Sequence, residues 1–98
     1  MTDPTKRKIL WADDEIDLLR SHHMYLNERG YDVTPVSNGE DALALLQQEH
    51  FDLVLLDEMM PGLDGLSTLE QMKARDANVP VIMITKNEEE HLMNEAIG

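Results

Sequence analysis

Short apolar runs alternate along this chain with segments of helical spacing. Ile9-Leu10-Trp11-Ala12 reads as a short strand. Helical patterning follows from Glu15 to about Arg29, and Gly30 stops it. Asp32 to Val36 reads as a second strand, and Pro35 places it at a sheet edge, because proline cannot donate to a ladder. A second helix begins near Gly39-Glu40 and carries Ala42, Leu43 and Leu46 on one face. Leu53-Val54-Leu55-Leu56 is apolar without alternation, as a parallel strand covered on both faces requires, and Asp57 follows at once. Pro61-Gly62 and Asp64-Gly65 are turn signals. A third helix runs to about Lys73 with Leu66, Leu69 and Met72 at helical spacing. Val79 to Ile84 is another buried strand ended by Thr85, and Glu88, Glu89 and Glu90 open a fourth helix, whose positive end favours acids.

This β-α-β-α-β-α-β-α alternation implies an α/β fold: an open parallel sheet with helices on both faces and right-handed crossovers. In such sheets the ligand site lies at the carboxyl ends of the strands. Asp13 and Asp14 follow the first strand, Asp57 ends the third and Thr85 ends the fourth, so separate strands deliver acids and a hydroxyl to one edge.

Composition narrows the function. Ninety-eight residues fit one small domain. The net charge of −12 opposes binding of nucleic acid or anionic membranes by this segment. The chain has no cysteine, and no stretch approaches the roughly 20 apolar residues of a membrane span, so the expected location is cytoplasmic. The sparse aromatics leave the core to Leu, Ile, Val and Met, with Met59, Met60, Met72, Met83 and Met93 as core or loop fillers. His22, four residues from both Leu18 and Leu26, is expected to be a partly buried helix-face residue rather than a phosphodonor.

Three converging carboxylates repel one another, and a divalent cation relieves the repulsion. An all-oxygen set favours Mg²⁺ over zinc. Asp57 could then attack a phosphoryl donor to give an aspartyl phosphate, with Thr85 bonding a phosphoryl oxygen. Each piece has a plainer reading: an Asp-Asp pair is often a helix cap, and a terminal Thr an ordinary strand residue. Their joint occurrence at strand ends is what counts.

The stretches Ile9 to Glu15, Asp52 to Gly65 (with Leu56-Asp57-Glu58-Met59-Met60-Pro61-Gly62) and Val79 to Thr85 resemble the response-regulator receiver domains of bacterial two-component systems. The resemblance covers essentially the whole chain. It implies a flavodoxin-like fold of strand order 2-1-3-4-5, and a phosphorelay protein rather than an enzyme, which switches partner binding when a sensor histidine kinase phosphorylates it. It further implies that Asp57 is the phosphoacceptor, that Asp13, Asp14, Asp57 and the Met59 backbone carbonyl form the Mg²⁺ site, and that Thr85 is the switch residue.

The resemblance also implies a receiver spanning 1–98 and incomplete at its C-terminus, since Gly98 precedes the expected fifth strand, its Lys and the fifth helix. Two consequences are expected: an output domain beyond this segment, and self-association through the edge of the fourth strand. Lys86 stands where receivers carry a small residue, and it is expected to point outward. Trp11 and Thr85 to Glu90 resemble more narrowly the PorX group, whose output domain is alkaline-phosphatase-like (PglZ). A phosphohydrolase of the haloacid-dehalogenase type would need an acid two residues after Asp57, where Met59 stands, and a non-phosphorylated scaffold is the third reading.

Overall fold

The computed structural model describes residues 6–75 and 78–85. Four strands, β1 (Arg7–Ala12), β2 (Tyr31–Val36), β3 (Leu53–Asp57) and β4 (Val81–Ile84), pair in parallel in the order β2-β1-β3-β4. This is the expected order over the described residues, and Pro35 lies on the border strand β2, where a missing N–H costs no ladder bond. The expected fourth helix from Glu88, and Lys86, lie outside the described residues.

Alternation within the strands divides the core in two. Leu10, Ala12, Val54 and Leu56 face one side, where helix α2 (Gly39–Gln48) contributes Ala42 and Leu43 and helix α3 (Gly65–Arg75) contributes Met72. Ile9, Trp11 and Val33 face the other side, where Ile16, Leu19 and Leu26 pack on them. Val54 and Leu56 are fully buried while Leu53 and Leu55 are partly so, which is why β3 shows no polar alternation. No helix among the described residues is long and apolar enough to cross a membrane.

Two helix faces differ from expectation. The first helical segment is a 3-10 turn, Ile16–Leu19, followed by α1 (Arg20–Glu28) and not one continuous α-helix. Leu18 and His22 keep their four-residue spacing but lie on the exposed side, while Leu19, His23 and Leu26 face inward. His23 packs edge-on against Trp11, with ring centroids 4.9 Å apart. In α3 the inward positions are Gly65, Thr68, Leu69 and Met72, and Leu66, about 100° off that face, is 58% exposed.

Caps and close approaches set the helix ends. Asn38 Oδ1 accepts from the Asp41 N–H at 2.8 Å and caps α2. Asp64 Oδ1 does the same for α3 from the Ser67 N–H at 2.8 Å, a bond that holds the Asp64 carboxyl below its usual range. Lys73 Nζ donates to the Val79 carbonyl and ties the end of α3 to the start of β4. Helix α3 begins so close to the end of β3 that a Cβ on Gly65 would stand 2.7 Å from Glu58 Cα.

Two expectations follow. Gly65→Ala should cost about 1–3 kcal/mol in urea unfolding, because the obstructing atoms are backbone and cannot rotate away. Burial lowers the pKa of His23 below the ordinary 6.5; nearby His22 adds to the shift and Asp13 opposes it. Above pH 6.5 the residue is neutral in both states; as pH falls below that value the unfolded chain takes the proton first. Stability present above 6.5 is therefore lost as pH drops through the lower folded value, and His23→Leu should flatten that part of a stability–pH curve. Superimposable curves for the two proteins would rule out this assignment.

Candidate functional site

The backbone brings Asp13, Asp14 and Asp57 to one place. Ala12 is the last residue of β1, and the Asp13 N–H donates to the Val36 carbonyl at 3.0 Å, so pairing with the end of β2 fixes the first acid. Asp13 Oδ1 accepts from the Glu15 N–H at 2.8 Å, which turns the chain back into the 3-10 segment and orients the side chain. Asp57 is the final residue of β3, opposite Ile84 of β4. Its Oδ1 accepts from the Met59 N–H at 3.2 Å. The Glu58 N–H donates to the Ile84 carbonyl at 2.9 Å, which holds the start of the following loop on the sheet.

One carboxylate oxygen from each of the three acids lies within 4.8 Å of the others. Asp13 and Asp57 are buried, at 0% and 1% exposure, while Asp14 is exposed and opens the cluster to solvent. Two oxygens on one Mg²⁺-sized ion stand about 3 Å apart when adjacent and about 4.2 Å when opposite, given bonds of about 2.1 Å. The observed spread needs only a small closure to meet that geometry. Hard, anionic oxygen donors with a solvent-facing side suit a small divalent cation that keeps water positions.

The other expected site residues sit around this cluster. Met59 is 63% exposed, in the loop from β3 to α3. It lines a cleft with Asp14, Glu58, Met60, Pro61, Asp64 and Leu66. Thr85 follows the last residue of β4 and is exposed at the same edge of the sheet. A cavity of about 590 Å³ at the opposite ends of the strands is lined by Leu43, Phe51, Met72 and Val79 together with Glu49, His50 and Arg75, and none of Asp13, Asp14 and Asp57 lines it. Two further residues touch the loop after β3 without any motif in the sequence to mark them: Thr68, whose hydroxyl donates to the Asp64 carbonyl four residues back, and Glu40, whose contact depends on the docking of α2 against α3.

Comparison with known proteins agrees with this geometry. The family model for the response regulator receiver domain matches residues 9–98. A probable transcriptional regulator ycf27 of Cyanophora paradoxa is 42% identical over 80 residues, covering 82% of this chain and 33% of its own length. The transcriptional regulatory protein ResD of Bacillus subtilis is 39% identical over 90 residues, covering 92% of this chain and 37% of its own. The chain thus spans about a third of the length of these curated relatives.

Among solved structures, the response regulator protein TrrA of Thermotoga maritima, in complex with Mg²⁺-BeF, superposes with a TM-score of 0.75 at 33% identity, covering 81% of this chain and 69% of that one. The same regulator in complex with the histidine kinase ThkA gives a TM-score of 0.76 at 32% identity, covering 82% of this chain and 69% of that one. With three acids gathered at the carboxyl edge of a 2-1-3-4 parallel sheet and a family match over nearly all its residues, the chain belongs to the response regulator receiver domain family.

Proposed function

We propose that this segment is the phosphoryl-accepting switch of a two-component system, with Asp57 as acceptor. The observation that carries the reading is the joint position of Asp57 and the Asp13–Asp14 pair: a buried acid at the end of the central strand, within 4.8 Å of two others. The donor is a phosphohistidine on a sensor histidine kinase, a reading supported by the kinase complex of the Thermotoga regulator. A carboxylate oxygen of Asp57 attacks phosphorus and the P–N bond breaks. The imidazole leaves with the bonding pair and takes up a proton from solvent, and an acyl phosphate remains on Asp57.

Asp13, Asp14, Asp57 and the Met59 carbonyl would hold Mg²⁺, which when bound neutralises charge on the carboxylates and on the transferring phosphoryl oxygens. Asp13 is kept in orientation by its turn and Asp57 by the Met59 N–H, so the acids are held in place before the donor arrives. Thr85, at the end of β4, offers its hydroxyl to a phosphoryl oxygen, and the resulting shift at the β4 end alters partner binding. On this reading residues 1–98 belong to the receiver, and the greater length of the curated relatives supports an output module outside this segment. An alkaline-phosphatase-like (PglZ) module is favoured only by the resemblance at Trp11 and 85–90. Trp11 packs in the core against His23, a role that needs no PorX-specific explanation.

Asp57→Asn keeps the shape and removes the nucleophile. Incubation with acetyl phosphate and Mg²⁺ followed by intact-mass measurement should show one phosphoryl adduct on the wild-type chain and none on the variant; equal yield on both would disprove the assignment. Mg²⁺ at a hundredfold excess over Kd should add about 2.7 kcal/mol and raise the melting midpoint by about 10 °C or more. Asp14→Ala should abolish most of that shift. A midpoint indifferent to millimolar Mg²⁺ would show that the three acids do not form a cation site.

A further inference from the structure

The loop from β3 to α3, residues 58–64, carries Met59 next to Asp57 and is held at both ends. At its near end the Glu58 N–H donates to the Ile84 carbonyl, and the Glu58 carbonyl accepts from the Gly65 N–H at 3.1 Å. Its far end is held from a different helix. The Glu40 carboxylate, in the first turn of α2, accepts from the Leu63 N–H at 3.2 Å. The same oxygen lies 3.3 Å from the point where a Cβ on Gly62 would stand, and Gly62 has φ +76°.

Helix α2 is itself fixed against this loop. Gly39 lies so close to the Thr68 hydroxyl that a Cβ has no room, and that hydroxyl donates to the Asp64 carbonyl at 2.7 Å. Between the two anchors lie Met59, Met60 and Pro61, with the Met59 N–H on Asp57 Oδ1.

We infer that Glu40 is a positioning residue for the phosphoryl-acceptor site: its bond to the Leu63 N–H sets the backbone of residues 59–62 against Asp57. This rests on the reading of Asp57 and the Met59 carbonyl given above. Glu40 acts through the loop. A carboxylate in the first turn of a helix is favoured by the helix dipole, and a charged acceptor makes a stronger bond to an N–H than a neutral one does. The bond is exposed, so solvent competes for it, and the expected effect is graded rather than complete.

The test compares Glu40→Ala, Glu40→Gln and Glu40→Asp in the full chain by amide exchange at Leu63 and by calorimetric titration with Mg²⁺. Glu40→Ala should speed exchange at Leu63 and weaken Mg²⁺ binding by about three- to tenfold. The melting midpoint without Mg²⁺ should stay near that of the wild type. Glu40→Gln keeps a neutral acceptor oxygen at the same reach and should restore part of both losses. Glu40→Asp keeps the charge but falls short of Leu63 and should resemble Glu40→Ala, which separates reach from charge.

Faster exchange with unchanged Mg²⁺ affinity would overturn the inference while leaving Asp57 as acceptor intact. Unchanged exchange at Leu63 in Glu40→Ala would overturn it as well. A wild-type chain that binds no Mg²⁺ would remove the underlying reading and the inference together.

Discussion

Carboxylate crowding is the constraint around which this domain is built. Two unit charges 4.8 Å apart at an effective dielectric near 20 repel by about 3 kcal/mol before solvent screening, and two of the three acids are buried. Such an arrangement persists only if the scaffold holding it is stiff. The stiffness comes from the centre of the sheet: β1 and β3 are adjacent, their inward residues Leu10, Ala12, Val54 and Leu56 are fully buried, and the acids follow directly from their ends. Side chains that pack at 0% exposure set the backbone within the small tolerance that a cation site demands.

The close fit at the start of α3 serves the same end. Glycine at 65 lets the helix begin against the Asp57–Glu58 backbone, where any side chain would collide. The loop between is therefore short and strongly bent, with one end tied to β4 through Glu58 and Ile84 and the other to α2 through Glu40 and Leu63. Two elements distant in sequence, β4 and α2, thus join the flanking β3 and α3 in determining the position of a few backbone atoms next to Asp57. This is the usual arrangement for a functional loop on a rigid scaffold, but here the support also comes from side chains of the neighbouring helix pair.

The sequence disclosed the features that depend on strand periodicity. The unbroken run Leu53 to Leu56 marked β3 as central, Pro35 marked β2 as a border strand, and the acids at two strand ends fell on one edge by topology alone. It misled over which side of the first helical segment turns inward. His22 shares the exposed side with Leu18, and it is His23, with Leu19 and Leu26, that meets the face of the sheet carrying Trp11. Helical spacing groups Leu66 with Leu69 and Met72, yet Leu66 is exposed and the buried position one turn in is Thr68, whose hydroxyl bonds the loop carbonyls. A threonine at a core position is recognisable only once its partners are known, and those partners come from a turn whose path periodicity does not describe.

The same limit explains why Glu40 passed unnoticed. Beside Gly39 and Asp41 it reads as one more acid in a first helical turn, where the dipole alone accounts for it. Its carboxylate meets the Leu63 N–H only because Gly39 allows α2 to close on Thr68, so the contact needs two helices, one loop and a glycine to coincide. Local propensity explains why each of these residues is tolerated where it stands. Only their combination gives the loop a second anchor, and a loop with two anchors has fewer ways to move when a phosphoryl group or a cation arrives at Asp57. Binding there then costs less ordering than it would on a loop fixed at one end, which is how an exposed hydrogen bond some distance from the acids can act on the chemistry at them.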